Sequence, residues 1–144
     1  IFSNTQEQAK SEKKSIGFIT FDLDFFKQVN DRFGHMLGDE VLKSFAQMLS
    51  DNLPKDAAAF RLGGEEFAII YPCQTLYQVT ELAENLRIQT EKLAIIHDNH
   101  TVKITVSAGV AFNNTNEITL NEMLKLSDNR LYEAKSQGRN KVVS

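Results

Sequence analysis

A single cysteine, Cys73, is present among 144 residues, which excludes an intrachain disulfide and any cysteine-cluster metal site. It follows Tyr71-Pro72 at the end of a strand pattern, so it reads as a small buried residue and not as a nucleophile. No apolar run approaches the length of a membrane span, and the N-terminus is polar, not signal-like. The expected location of the domain is therefore the cytoplasm, with a longer parent free to carry membrane segments outside this chain. Basic excess is missing too: the net charge of −3 argues against a protein that coats nucleic acid. Any phosphate bound here has to be met by local lysines and arginines. There is no internal repeat and no low-complexity segment. What is present is ordinary for a soluble globular protein, 42% hydrophobic and 24% charged, and long enough for one compact domain spanning 1–144. Residues 1–15 are polar and read as a linker or short helix leading in.

The chain is organised around Arg61-Leu62-Gly63-Gly64-Glu65-Glu66-Phe67, flanked by the strand-like runs Ala57 to Phe60 and Ala68 to Tyr71. Two apolar runs around a Gly-Gly pair predict a β-hairpin, since glycine accepts the positive φ of a tight turn. A plain hairpin does not need two carboxylates directly after the turn. Upstream, the β-forming run Ile16-Gly17-Phe18-Ile19-Thr20-Phe21 ends in Asp22-Leu23-Asp24 and passes into a helix. Acids at the end of a buried strand are costly unless a cation meets them. If this strand lies beside the hairpin, Asp22, Glu65 and Glu66 converge on one edge of the sheet and raise one another's pKa unless a cation sits among them. Carboxylates with a backbone carbonyl suit Mg²⁺ on substrate phosphates.

Asp24 is placed to cap the helix from Phe25, which stops at Phe33-Gly34-His35. A longer helix is predicted from about Gly38-Asp39-Glu40 to Asn52-Leu53-Pro54, with Val41, Leu42, Phe45, Met48 and Leu49 inward. Thr75 to about Ile96 is amphipathic, with Leu76, Val79, Leu82, Ala83, Leu86 and Leu93 as one stripe. His97-Asp98-Asn99-His100 has no third ligand nearby in sequence and reads as a solvated hairpin turn. Thr101 to Phe112 is a strand in which Gly109 marks a close backbone approach or a bulge. Leu120 to Gln137 is the last helix, stopped by Gly138, and Lys141-Val142-Val143 is a closing edge strand. The predicted architecture is α+β: a central mixed, mainly antiparallel sheet flanked by helices, on the split βαβ ferredoxin-like plan.

These pieces resemble the GGDEF domain family, the diguanylate cyclases, whose fold belongs with the nucleotidyl-cyclase palm. Asp22-Leu23-Asp24-Phe25-Phe26-Lys27-Gln28-Val29-Asn30-Asp31 with Gly34-His35 and Gly38-Asp39 looks like its first signature, and Arg61 to Phe67 its name-giving motif in the GGEEF form. Val106-Ser107-Ala108-Gly109-Val110 resembles a later strand, and Ser127-Asp128 through Leu131 to Asn140 the C-terminal signature. The resemblance implies condensation of two GTP to cyclic di-GMP with release of two pyrophosphates, in a homodimer, since one domain holds one GTP, and under an upstream sensory region. It implies Mg²⁺ or Mn²⁺ on Asp22, the Leu23 carbonyl and Glu65. Glu65 would also help deprotonate the 3′-hydroxyl, and Glu66 would complete the acidic site. Asn30 and Asp39 would read guanine, with His35 on the same turn, and Lys27, Lys135, Arg139 and the backbone amides of Phe25 and Phe26 would face the triphosphate. The chemistry fits: a carboxylate such as Asp39 accepts from guanine N1–H and its amino group together, whereas adenine presents a lone pair there. Phosphoryl transfer needs cations for developing charge. Lys135 and Arg139, four apart, are expected on one face of a helix end. Singly, Lys27 suits a solvated first turn, Asp39 a helix start, and Lys135 with Arg139 a helix C-terminus; their joint order favours a site.

The sequence departs from the family in places. Its Arg-x-x-Asp product-inhibition motif is replaced by Pro54-Lys55-Asp56-Ala57, which predicts weak or absent product feedback. An Asp-x-Leu-Thr segment expected before residue 1 is missing, Phe25 stands at a commonly polar position and Arg130 at a commonly small one. Two other readings compete: a catalytically weak GTP-binding regulatory module, and a palm-type cyclase with another product.

Overall fold

The computed structural model describes residues 15–114 and 118–144; the polar lead-in predicted over 1–15 lies almost wholly outside them. The elements are β1 (Ile16–Leu23), α1 (Phe26–Phe33), α2 (His35–Asn52), β2 (Ala58–Gly63), β3 (Glu66–Pro72), α3 (Leu76–Lys92), β4 (Ile95–His97), β5 (His100–Val102), β6 (Val106–Asn113), α4 (Leu120–Ser136) and β7 (Val142–Val143). Five strands form one sheet in the order β2-β3-β1-β6-β7, and β4 pairs with β5 in a separate hairpin. All neighbours are antiparallel except β6 and β7. The expected mixed, mainly antiparallel sheet with flanking helices is therefore present.

Strand β1 is central and every residue of it is buried, so its side chains alternate between two covered faces. Ile19, Phe21 and Leu23 join Phe67, Ile69, Val106, Ala108 and Val110 in the large core beneath α2 and α3. Ile16 and Phe18 join Ala68, Ile70, Ala111 and Met123 in a smaller core beneath α4. The period of two then assigns Thr20 and Asp22 to the α4 face. Thr20 Oγ1 and Ser127 Oγ of α4 lie 2.6 Å apart, and Ser127 Oγ donates to the Leu124 carbonyl at 3.0 Å. Gly109 lets α4 press against the sheet, since a Cβ there would stand 1.9 Å from the Ser127 carbonyl oxygen. Of the two roles expected for it, close approach is the one found. Among the described residues, the ladders shift register between Arg61 and Gly63 of β2, at the Gly-Gly turn, where Gly63 (φ 151) and Gly64 (φ 52) hold backbone that other residues avoid.

Several boundaries differ from the sequence expectation. Helix α2 begins at His35, not near Gly38, because Gly34 (φ 90) is a one-residue break and Gly38 is buried inside the helix. There a Cβ would come within 1.8 Å of Asn30 Oδ1, so packing of α1 on α2 accounts for the glycine. Helix α3 opens on a capping box between Thr75 and Gln78, but stops at Lys92, and Leu76 in its expected inner stripe is exposed. The β-branched Ile95-Ile96 leaves the helix for β4. His97 pairs with His100 across Asp98 (φ 48) and Asn99 (φ 68), residue types that tolerate left-handed backbone. The strand expected over Thr101 to Phe112 is thus two, β5 and β6.

Candidate active site

Asp22 is the penultimate residue of β1, with Glu66 of β3 on one side of it in the ladder and Ser107 of β6 on the other. Just past the Gly-Gly turn, the Glu65 carbonyl accepts from the Leu23 amide at 3.3 Å. The hairpin therefore delivers Glu65 to the end of β1. A cleft of about 130 Å³ opens there, lined by Asp22, Leu23, Phe25, Phe26, Lys27, Glu65, Lys135 and Arg139 together with Asp24 and Gln28. That is smaller than the ~300–1,000 Å³ of pockets that enclose a small molecule. A ligand of nucleotide size would insert one end and rest across the mouth. Two larger grooves, about 530 Å³ between α2 and β2 and about 640 Å³ between α2 and α3, lack converging acids.

The electrostatics centre on Asp22, which is 5% exposed. Burial lifts its carboxyl above the ordinary 3.8, an ion pair with Lys135 of α4 pulls it back, and Glu65 and Asp24 push it up again. Glu66 is also raised, by burial first and then by the charges of Asp22 and Asp128. Burial raises Asp128 as well. Lys135 thus already acts as one counter-charge to a carboxylate cluster that ionises with difficulty. Among the described residues, no group of three or more His, Cys, Asp or Glu side chains is gathered closely enough to hold a metal ion. The acids that line the cleft are Asp22, Asp24 and Glu65, with Leu23 beside them.

Asn30, His35 and Asp39 lie on α1 and the start of α2 and do not line this cleft. His35 and Asp39 are exposed, whereas Asn30 Oδ1 is buried without a donor among the described residues. Glu66 faces Asp22 in the ladder but is also outside the lining.

Two sequence expectations are corrected here. Asp24 does not cap α1, whose N-cap position is Phe25 with no side-chain cap. Its carboxylate instead accepts from Thr105 Oγ1 (2.7 Å), Ser107 Oγ (2.6 Å) and the Asn140 amide (3.0 Å). With three donors already bound, it ties β1, β6 and the loop after α4 together. Lys135 and Arg139 do not share a helix face: α4 ends at Ser136, and Arg139 is in left-handed backbone (φ 67) beyond it. They meet at the cleft from two separate pieces of chain.

The pattern described as diguanylate cyclase, GGDEF domain, matches residues 1–141. The chain belongs to the GGDEF-domain family. This GGDEF domain is 36% identical over 143 residues to an uncharacterized membrane protein of Staphylococcus epidermidis, covering 98% of the chain and 40% of that protein. It is 36% identical over 141 residues to the probable diguanylate cyclase DgcT of Escherichia coli, covering 96% of the chain and 31% of DgcT. It superposes on the active GGEEF domain of a diguanylate cyclase from Vibrio cholerae with a TM-score of 0.87 at 31% identity, covering 97% of the chain and 88% of that domain. The GGDEF domain thus spans about a third to two fifths of the length of these curated relatives.

Sequence reasoning assigned no role to Asp128 beyond its place in a signature. Its position on α4, next to the buried Ser127, gave no period or spacing cue. Its charge acts on Glu66, a residue far away in sequence. Asn140 was likewise missed, because its partners Asp24, Arg87 and Glu91 are distant in sequence.

Proposed function

We propose that this GGDEF domain condenses two GTP into cyclic di-GMP with release of two pyrophosphates, each domain of a homodimer contributing one nucleotide. The observation that carries the reading is the convergence of Asp22 and Glu65 with Lys27, Lys135 and Arg139 on one cleft at the end of β1. Opposed charges of this kind are what phosphoryl transfer requires around a polyphosphate. Asp22, Glu65 and the Leu23 carbonyl would hold Mg²⁺ or Mn²⁺, for which oxygen donors are suited. When bound, the ion would neutralise phosphate charge and align the group for in-line attack.

The chain's own residues would do the rest. Lys27, Lys135 and Arg139, with the amides of Phe25 and Phe26 at the start of α1, would hold the triphosphate. Glu65 would take up the proton of the attacking 3′-hydroxyl, and Glu66, already raised, would complete the acidic site. Asp39 and Asn30 would read guanine, beside His35. The orphaned Asn30 oxygen supports this assignment, because a buried acceptor without a donor costs about 1–3 kcal/mol and a guanine amino group offers one. Product feedback is weak in this reading, since Pro54-Lys55-Asp56-Ala57 offers no guanidinium. The parent protein carries a sensory region and is anchored in a membrane, with this domain in the cytoplasm. Its short share of the relatives' length supports that, as does the membrane protein among them. Among the described residues no helix is long and apolar enough to cross a membrane.

Incubating the domain with GTP or ATP and Mg²⁺ and identifying products by mass is the test. Cyclic di-GMP from GTP alone, at a specific rate that climbs with protein concentration, is the expected result. A different cyclic product refutes the substrate assignment, and GTP bound but unchanged refutes catalysis in favour of a regulatory module. A rate per molecule that ignores protein concentration refutes the dimer.

A further inference from the structure

Phe25 combines two costly features: the residue is 52% exposed, and its backbone is left-handed (φ 59, ψ 27) without being glycine. Across the mouth of the cleft stands Arg139, also left-handed, with its guanidinium carbon 4.8 Å from the centre of the Phe25 ring.

The backbone around Arg139 is fixed without any help from that ring. The Arg139 amide donates to the Ala134 carbonyl at 3.0 Å, and the Asn140 amide to Asp24. The Asn140 side chain is gripped by α3: Arg87 donates to its Oδ1, and its Nδ2 donates to Glu91, each at 2.9 Å. The loop is thus anchored from beneath, and what the ring adds concerns the guanidinium. A guanidinium stacked by its face on an aromatic ring keeps its N–H donors, which lie in the plane, free at the edge.

We propose that Phe25 is a positioning residue for Arg139: its ring is the platform that holds the guanidinium flat over the mouth of the cleft, with its donor edge turned to an arriving phosphate. The proposal rests on the reading of the cleft as a triphosphate site. It assigns the Phe25 side chain a task distinct from that of its backbone amide, and it explains an exposed aromatic residue where a polar one would be easier to solvate. A leucine at this position has the same backbone cost without the ring, and a tyrosine keeps the ring.

The test uses the 144-residue chain and inorganic tripolyphosphate, with the Arg139 side-chain protons followed by NMR. In the native chain those protons are expected upfield, shifted by the ring current, and to move on tripolyphosphate addition. In Phe25→Leu the upfield shift is lost and tripolyphosphate affinity falls about 2–5-fold, the range for an exposed cation–π contact. KM for GTP rises with it while kcat holds, and Phe25→Tyr restores all three. Should Phe25→Leu unfold, Phe25→Asn, which suits left-handed backbone, replaces it with the same expectation. Unchanged Arg139 shifts or unchanged affinity in the ringless variant would overturn the platform and leave the phosphate reading standing. A native chain with ring-shifted Arg139 that fails to bind tripolyphosphate would overturn the phosphate reading and the platform with it.

Discussion

The two faces of the sheet are built from the same strands and do opposite work. Beneath α2 and α3, β1 contributes Ile19, Phe21 and Leu23, and the aromatic rings of Phe21, Phe45 and Phe67 stack edge to face. Beneath α4 the same strand contributes Phe18, Thr20 and Asp22, and the contact runs from apolar at Met123 through a hydroxyl pair at Thr20 and Ser127 to an ion pair at Asp22 and Lys135. A single alternation along eight residues thus separates stability from chemistry. The apolar face holds the sheet rigid, and the graded polar face lets acids reach the strand ends without being sealed in the core.

Replacing Asp22 by Asn tests that division most strongly. Cyclic di-GMP formation should fall about 10³-fold, on the scale of losing a principal electrostatic group. The metal-free domain should nonetheless melt higher than the native one, because the burial that raises Asp22 no longer penalises a charge. A variant that loses both activity and stability would mean that the ion pair with Lys135 holds the fold, and the separation of faces would be wrong.

Next in size, Gly109→Ala should cost about 3 kcal/mol or more in urea unfolding. Its Cβ would meet backbone, the Ser127 carbonyl oxygen at 1.9 Å and the Leu131 nitrogen at 2.4 Å. Gly17→Ala, on the α3 face, meets the Val79 side chain at 2.6 Å and should cost less, about 1–3 kcal/mol. Equal costs would show that α4 shifts as readily as a side chain does. Smaller still, a double-mutant cycle of Thr20→Val and Ser127→Ala should return a coupling of about 1 kcal/mol. A coupling within error of zero would remove the hydroxyl pair from the account of how α4 is held.

Much of this was legible in the sequence because periodicity and turn chemistry are local. The β-forming run at Ile16–Leu23, the Gly63-Gly64 turn, the histidine turn at 97–100 and the edge strand at Val142-Val143 all follow from near neighbours. Those of the candidate site residues that gather at the cleft were named too, on the strength of ordered motifs, whereas four others, Asn30, His35, Asp39 and Glu66, stand apart from its lining. What stayed hidden depends on distant partners. Asp24 has the spelling of a helix cap, and only the approach of Thr105, Ser107 and Asn140 turns it into a tie between strands. Arg139 has helical spacing from Lys135, and only the left-handed turn after Ser136 takes it off the helix and onto Phe25. The break between α3 and β4 was missed because Leu93 and Ile95 fit either a helical stripe or a strand.

The smallest effect separates the faces by sign. Asp22, Glu66 and Asp128 have carboxyls raised by burial, so the folded chain binds their protons more tightly than the unfolded chain. Their stabilisation is present below the ordinary values of 3.8 and 4.5 and is lost as pH rises through the raised folded values. Glu91, on α3, is lowered by Asn140 first and then by Arg87, so its contribution is present above 4.5 and is lost as pH falls through the lowered folded value. Urea midpoints measured in EDTA from neutral pH down to about pH 3 should therefore show Asp22→Asn losing part of the relative gain on acidification. Glu91→Gln should lose part of the decline at the acid end. Mg²⁺ at neutral pH should stabilise the native chain more than Asp22→Asn, since an ion that binds only the folded state relieves the same carboxylates. If the Asp22→Asn profile runs parallel to the native one with and without Mg²⁺, Asp22 ionises without strain, and the α4 face carries no cost for a cation to relieve.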